Sequence, residues 1–93
     1  MQLSIVIPLL NEEKSLPELY NWIIEVMQAN KYSYEIIFID DGSTDHSWKI
    51  IKQLSETNPA VKAIHFKKNY GKSQALHAGF LAAKGEVVIT MDA

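Results

Sequence analysis

Four short apolar segments, rich in β-branched residues, recur along this chain and alternate with segments of helical periodicity. The apolar segments are residues 3–8, 35–40, 61–66 and 86–91. Continuous apolar segments of this length are typical of strands covered on both faces, as in a parallel sheet. The alternation predicts the order β-α-β-α-β-α-β and therefore an α/β fold with a doubly wound parallel sheet and right-handed crossovers.

The helical segments between these strands have recognisable start signals. They are predicted at about residues 15–28, 44–57 and 72–84. Ser15 and Glu18 form a possible capping box at the start of the first helix. For the second helix the candidate N-caps are Ser43, Thr44 and Asp45.

Two glycines, one inside the third helical segment and one just after it, are expected to have specific roles. Gly85 is the expected C-cap, since helices commonly end on glycine. Gly79 lies inside the segment, where glycine costs about 1 kcal/mol relative to alanine. We therefore expect close packing against a neighbouring element at Gly79.

Composition limits the class of protein. The chain has 93 residues, of which 47% are hydrophobic and 22% charged, as expected for one globular domain spanning residues 1–93. Its formal net charge of −2 argues against a general nucleic-acid binder. There is no cysteine, and the three histidines lack zinc-ligand spacing, so only metal sites built from oxygen ligands remain open.

Targeting signals are also lacking in the sequence. The first residues have no basic segment of a signal peptide, and no apolar segment approaches the roughly 20 residues that span a bilayer. The sequence therefore predicts a cytoplasmic location.

The chemically active residue types follow the predicted strands. Ligands of an open parallel sheet bind at the carboxyl ends of its strands, near the point where the strand order reverses. The segments at these ends are residues 8–13, 40–45, 67–72 and 91–93. Three of them bring carboxylates and one brings lysines. Polar turns alone would account for Gly42, Ser43 and Asn69, but less well for this distribution of charge.

Asp40 and Asp41 follow the second strand directly. Adjacent residues on a strand point to opposite faces, so these two carboxylates do not form one chelating pair. One is expected to hold the loop by accepting backbone N–H groups. The other is expected to face the crevice and accept a base N–H, such as that of uracil or guanine. A simple loop-capping role remains open for both.

Asp92 and Lys72 are the candidate residues for a phosphate-bearing ligand. Asp92 ends an apolar strand, where a carboxylate is costly unless it is paired or bound to a metal. Mg²⁺ and Mn²⁺ need few protein oxygens and complete their shells with phosphate and water. An N-cap role for Asp92 is an equal alternative. Lys72 opens a helix whose N-terminus favours anions, although a solvated basic turn explains it too.

Four motifs in order resemble those of the inverting family 2 glycosyltransferases, which have the Rossmann-like GT-A fold. They are residues 4–13, 40–45, 69–80 and 91–93. The third is similar to the branch that uses polyprenyl-phosphate acceptors, such as dolichyl-phosphate mannose synthases and bactoprenyl-phosphate glycosyltransferases. The last resembles the start of the Asp-x-Asp metal motif. The resemblance implies the N-terminal, nucleotide-sugar-binding part of the fold, truncated at that motif.

The resemblance also implies a set of nucleotide-sugar-binding residues. They are Pro8, Leu10, Glu12, Asp40, Asp41, Lys72 and Asp92. The first three would line the nucleotide pocket, Asp41 would bind the base with Asp40 beside it, and Lys72 would approach the phosphates. Asp92 would reach the ribose or the metal–diphosphate group. The family often has Tyr or Phe where Leu10 stands, which implies weaker stacking on the base.

The activity implied by the resemblance is transfer of a sugar from a UDP- or GDP-sugar to an acceptor, with inversion and with Mg²⁺ or Mn²⁺ as cofactor. The expected acceptor is a polyprenyl phosphate at the cytoplasmic membrane face. Membrane association is expected only through parts of the protein beyond these residues. No catalytic base is assigned, and the 93 residues alone are expected to bind nucleotide weakly without turnover.

Three other classes stay open at this stage. A non-catalytic nucleotide-binding α/β module would have the same architecture. A phosphoacceptor signalling domain would also have an acidic Mg²⁺ pocket and a lysine, but its acidic pair should follow the first strand. A protein-interaction domain would bind neither ligand. A dehydrogenase fits poorly, because no G-x-G-x-x-G follows the first strand.

Overall fold

A computed structural model describes all 93 residues, and its four strands form one parallel sheet. The strands are β1 (Leu3–Leu9), β2 (Tyr34–Asp40), β3 (Val61–His65) and β4 (Val87–Thr90). Their order across the sheet is β3-β2-β1-β4, so the chain reverses direction across the sheet at β1. The ligand crevice of such a sheet lies outside the carboxyl ends of the strands at this reversal. The predicted parallel α/β fold is confirmed.

Three helices cover the two faces of the sheet. They are α1 (Leu16–Asn30), α2 (Ser47–Thr57) and α3 (Lys72–Ala82). One core cluster joins α1 and α2 to the sheet, and its largest members include Phe38, Ile23 and Ile51. A smaller cluster around Ile37 and Ala75 joins α3 to the other face. None of the helices combines the length and apolar character needed to cross a bilayer.

The expectation that every strand is covered on both faces is wrong for β4. Val87 is 54% exposed and Val88 is 42% exposed. β4 lies at the edge of the sheet beside β1, and the helices pack mainly on β1, β2 and β3, so both faces of β4 stay largely uncovered. By contrast, β1 and β2 are almost fully buried, as their apolar sequences predict.

The start of α1 and the end of α3 differ from the predicted caps. Ser15 occupies the N-cap position, but its hydroxyl donates to the Glu12 carboxylate at 2.9 Å instead of capping the helix with Glu18. The capping-box prediction is therefore wrong. The C-cap of helix α3 is Ala83 and not Gly85. Gly85 instead lies against β1, where its N–H donates to the Ser4 hydroxyl at 2.7 Å.

Helix α2 begins three residues later than predicted. His46, and none of the three predicted residues, occupies its N-cap position. The backbone N–H groups of Thr44 and Asp45 donate instead to the side chain of Asn11 in the loop before α1. Asp45 still accepts the N–H of Ser47, the first residue of the helix, at 2.9 Å. A contact with a distant loop thus holds these residues out of the helix.

Gly79 allows α3 to contact the sheet directly, as predicted. A Cβ atom at this position would overlap the side chains of Val6 and Ile39. We expect Gly79→Ala to lower the free energy of unfolding by about 1–2 kcal/mol, because the overpacking cost exceeds the gain of about 1 kcal/mol in helix propensity. Urea unfolding measures this, with the exposed Ser73→Ala of the same helix as control. Equal or higher stability of Gly79→Ala would contradict the packing described.

Candidate functional site

A cleft at the carboxyl ends of the strands brings together residues from three loops and from the segment after β4. It encloses about 410 Å³, within the usual range for small-molecule sites of about 300–1,000 Å³. Its lining residues are Pro8, Leu9, Leu10, Glu12, Asp41, Asn69, Gly71, Lys72, Asp92 and Ala93. Six of the seven residues predicted to bind a nucleotide sugar therefore lie around one cleft, beside the reversal in strand order.

The loop between β1 and α1 supplies one wall of the cleft. Leu10 is 39% exposed at its rim. The Glu12 carboxylate accepts the hydroxyl of Ser15 at 2.9 Å, and the Glu12 N–H donates to the hydroxyl of Ser47 at 2.9 Å. These bonds hold both the backbone and the side chain of Glu12 in place beside the cleft.

Asp41 also lines the cleft and fixes the loop before α3. Its carboxylate is almost fully buried and accepts the N–H groups of Tyr70 at 2.8 Å and Gly71 at 3.0 Å. Each carboxylate oxygen has a further lone pair, so Asp41 can also accept an N–H from a ligand. The sequence suggested that one aspartate holds a loop and the other faces the crevice, but Asp41 does both.

Asp40 is the one predicted site residue that does not reach the cleft. It is fully buried, and its carboxylate accepts the N–H of Ser43 at 2.9 Å. Its second oxygen lies 3.7 Å from the ring of His65, which stacks on Trp48 with 4.2 Å between ring centroids. Asp40 and Asp41 thus contact different loops, as expected for adjacent residues that point to opposite faces.

Lys72 and Asp92 form an ion pair in the cleft. The Lys72 ammonium lies 2.7 Å from the Asp92 carboxylate, and both side chains are more than half exposed. An exposed pair of this kind contributes at most about 1 kcal/mol, so a ligand can replace either partner at little cost. Lys72 is also the first residue of α3, and the partial positive charge of the helix N-terminus adds to its own.

The cleft has a single exposed carboxylate that could bind a divalent cation. No group of three or more His, Cys, Asp or Glu side chains in the chain could hold a metal ion. Asp92 remains as a single exposed carboxylate in the cleft. Mg²⁺ is commonly bound by one or two carboxylates, with substrate phosphates and water completing the shell. The chain therefore fits a cation that arrives together with a phosphate ligand.

The sequence of this chain from residue 4 to residue 93 matches the family model described as "Glycosyl transferase family 2". The chain belongs to glycosyl transferase family 2. This membership agrees with the resemblance in the four motifs, and it decides against the phosphoacceptor signalling domain.

Two curated relatives of this family 2 chain are named for lipid-linked sugar transfer. A bactoprenol glucosyl transferase of Shigella phage SfV is 40% identical over 92 residues, which are 99% of this chain and 30% of that protein. An undecaprenyl-phosphate 4-deoxy-4-formamido-L-arabinose transferase of Pseudomonas fluorescens (strain SBW25) is 44% identical over 91 residues, 97% of this chain and 27% of that protein. The chain thus spans about 30% of the length of these relatives.

Two solved structures have the same fold over almost the whole family 2 chain. S. aureus TarS 1-349 in complex with UDP aligns with a TM-score of 0.84 and 25% identity, over 99% of this chain and 27% of that one. The mannosyltransferase PcManGT from Pyrobaculum calidifontis, in complex with GDP-Man and Mn²⁺, aligns with a TM-score of 0.84 and 26% identity. This alignment covers 98% of this chain and 27% of that one. The predicted GT-A type of fold is confirmed.

Besides Leu9 and Ala93, the predicted set of site residues omitted Asn69 and Gly71 of the family 2 cleft and Asn11 beside it. Asn69 and Gly71 line the cleft, and the Asn69 side chain accepts the Gly71 N–H at 3.0 Å. Gly71 has a φ of 100°, which favours glycine. Asn11 has a φ of 54° and joins two loops. Asparagine tolerates positive φ better than most residues, and this is the one sequence signal that could have singled out Asn11.

Proposed function

We propose that this chain forms the nucleotide-sugar-binding part of an inverting glycosyltransferase whose acceptor is a polyprenyl phosphate. The observation on which this depends is the convergence of Glu12, Asp41, Lys72 and Asp92 on one cleft beside the reversal in strand order. The names of the two relatives, which refer to bactoprenol and to undecaprenyl phosphate, support this acceptor class. Such an acceptor places the reaction at a membrane face, and we propose the cytoplasmic one.

In this proposal the cleft binds the base and the ribose between its two loop walls. Asp41 accepts the N–H of the base, which both uracil and guanine offer. Pro8 and Leu10 give apolar contact, and Glu12 is held where it can accept a sugar hydroxyl. Both a UDP- and a GDP-sugar suit this arrangement, and the complexes of the two neighbours with UDP and GDP-Man support both.

The diphosphate lies, in this proposal, between Lys72 and Asp92. Asp92 would hold Mg²⁺ or Mn²⁺, which supplies positive charge that stabilises the leaving diphosphate. Lys72 provides a second positive charge at the N-terminus of α3. Binding of the donor separates the Lys72–Asp92 ion pair, so that the ammonium turns to phosphate and the carboxylate becomes free.

The transfer itself is a single displacement at the anomeric carbon. An oxygen of the acceptor phosphate forms the new bond while the bond to the leaving diphosphate breaks, and the configuration is inverted. A phosphate acceptor is already ionised near neutral pH and needs no strong general base. For the 93 residues alone we propose weak nucleotide binding without turnover.

Titration of the chain with UDP and GDP, each with and without Mn²⁺, tests the proposal. Because the expected affinity is weak and Mn²⁺ is paramagnetic, the heat measured by isothermal titration calorimetry at high chain concentration is the suitable signal. We expect one of the two nucleotides to bind saturably and Mn²⁺ to tighten its binding. Lack of saturable binding of both nucleotides, with and without Mn²⁺, would contradict the proposed function.

Asp92→Ala is expected to remove the effect of Mn²⁺ on nucleotide binding. The variant lacks the one cleft carboxylate that is free to bind the cation once the ion pair opens. We expect the Kd measured with Mn²⁺ to rise about tenfold, or about 1.4 kcal/mol, and the Kd without metal to change little. Glu86→Ala, an exposed carboxylate just before β4 at its opposite end, is the control. An unchanged effect of Mn²⁺ in Asp92→Ala would exclude Asp92 as the ligand.

A further inference from the structure

Asn11 has an unusual backbone conformation between two residues of the cleft. Its φ of 54° lies in the left-handed region, where only one other non-glycine residue of the chain, Lys31, is found. Leu10 and Glu12, its two neighbours, line the cleft, whereas Asn11 does not. The direction in which the chain passes through Asn11 therefore determines how Leu10 and Glu12 face the cleft.

The side chain and backbone of Asn11 both bind the loop between β2 and α2. The carboxamide oxygen accepts the N–H groups of Thr44 at 2.8 Å and Asp45 at 3.2 Å. The N–H of Asn11 donates to the hydroxyl of Ser43 at 2.8 Å. Hydrogen bonds thus run in both directions between the two loops that form the walls of the cleft.

The two residues after Asn11 continue this contact. The N–H of Glu12 donates to the Ser47 hydroxyl at 2.9 Å, and the N–H of Glu13 donates to the Asp45 carboxylate at 3.2 Å. Burial alone would raise the pKa of Asp45, but the hydrogen bonds from Ser47 and Glu13 lower it below its ordinary value of 3.8. Asp45 is therefore ionised and a strong acceptor at neutral pH. Three consecutive N–H groups of the first loop thus bind the second loop or the first residue of α2.

We propose that Asn11 is a positioning residue that sets the position of Glu12 relative to Asp41 in the cleft. Asn11 is the only residue of the first loop whose side chain accepts backbone N–H groups of the second. It does not touch the cleft itself and acts through its neighbours. This inference rests on the proposed function, because it takes a nucleotide as the ligand of the cleft.

The position of Asn11 separates this role from a purely structural one. Asn11 and Thr44 are exposed, and neither belongs to a core cluster. Loss of the carboxamide opens no cavity, so stability should change little compared with ligand affinity. Substitution of a residue that is important only for folding would lower stability more than ligand affinity.

Two substitutions test the carboxamide separately from the backbone. Asn11→Gly keeps a residue that adopts positive φ readily but removes the acceptor oxygen. Asn11→Asp keeps the acceptor and also tolerates this conformation. Asn30→Ala is the control, because Asn30 makes its side-chain bond to Val26 within α1, away from the cleft.

The measurements are amide hydrogen exchange and NMR titration with UDP and GDP in the presence of the diamagnetic ion Mg²⁺. In Asn11→Gly we expect the Thr44 and Asp45 amides to exchange about tenfold faster, since each loses its acceptor. We expect the Kd of the nucleotide that the unmodified chain binds to rise about tenfold, with a melting temperature within a few degrees. Asn11→Asp and Asn30→Ala should match the unmodified chain in affinity.

Several results would overturn the inference. If Asn11→Gly binds the nucleotide as tightly as the unmodified chain, Asn11 has no positioning role, and the proposed function still stands. Faster exchange throughout the chain, or an equal loss of affinity in Asn30→Ala, would mark general destabilisation and would overturn the inference as well. If the unmodified chain itself binds neither nucleotide, the proposed function fails together with the inference.

Discussion

Asp41→Ala is expected to abolish measurable nucleotide binding. The substitution removes the proposed acceptor for the base N–H. It also removes the acceptor of the Tyr70 N–H and one of the two acceptors of the Gly71 N–H, so the loop that leads to Lys72 loses its contact with β2. Hydrogen bonds to a charged group contribute about 1.5–3 kcal/mol each, and the loss of the base contact with partial loss of the loop should raise the Kd at least about a hundredfold.

The adjacent carboxylate provides a matched control for Asp41. Asp40→Asn changes a fully buried aspartate that lies outside the cleft, and it should alter stability without changing the preference between UDP and GDP. NMR titration measures affinity and base preference for both variants. Retention of affinity within a factor of two in Asp41→Ala, or a change of base preference in Asp40→Asn, would contradict the roles assigned to these residues.

Glu35→Ala is expected to cause the largest loss of stability. Glu35 is 1% exposed and accepts the hydroxyl of Ser4 and the N–H of Lys84, the latter at 2.7 Å. Its other oxygen lies 2.7 Å from the Lys62 ammonium. Glu35→Ala leaves the Ser4 hydroxyl and the Lys84 N–H without this acceptor, at about 1–3 kcal/mol for each group, which together is a large part of the usual stability of a small domain. The Lys62 side chain is 39% exposed, so its ammonium can turn to water and adds little to the loss.

This one carboxylate connects β1, β2, β3 and the turn before β4, since Ser4, Lys62 and Lys84 come from different parts of the chain. Urea unfolding measures the loss. The control is Glu56→Ala, which removes an exposed carboxylate from α2 and should change the free energy of unfolding by less than about 0.5 kcal/mol. A loss in Glu35→Ala no larger than that of the control would contradict the importance of these contacts.

The same carboxylate predicts how stability depends on pH. Burial alone would raise the pKa of Glu35, but hydrogen bonds from Lys62, Ser4 and the Lys84 N–H outweigh it and lower the pKa below 4.5. The contribution of Glu35 to the free energy of unfolding is therefore complete well above pH 4.5. As the pH falls below this value, the unfolded chain takes up a proton before the folded chain does, and the contribution decreases. The stability difference between the unmodified chain and Glu35→Gln should shrink between about pH 5 and pH 3. A constant difference would contradict this assignment.

Much of the fold and of the cleft follows from local sequence patterns. Apolar segments of β-branched residues predict the strands, and the parallel order places the ends of all strands at one edge. Glu12, Asp41 and Asp92 could be placed together for that reason, although they are far apart in sequence. Topology alone is enough to predict their convergence.

Contacts between distant segments account for what the sequence did not predict. Helix α2 starts late because Asn11, more than 30 residues earlier, binds the backbone of Thr44 and Asp45. Glu35 stands at the start of an apolar strand, and nothing in its own segment indicates that Ser4 and Lys62 pair with it. Such partners are set by strand register, and periodicity within one segment carries no information about register.

The location of the bound nucleotide is the most direct test of the account. We would titrate the chain with UDP and GDP in the presence of the diamagnetic ion Mg²⁺ and map the amide shifts. We expect the largest changes on Leu10, Glu12, Asp41, Lys72 and Asp92, around one cleft. Changes concentrated instead in the groove between α1 and α2, around Tyr20 and Leu54, would contradict it.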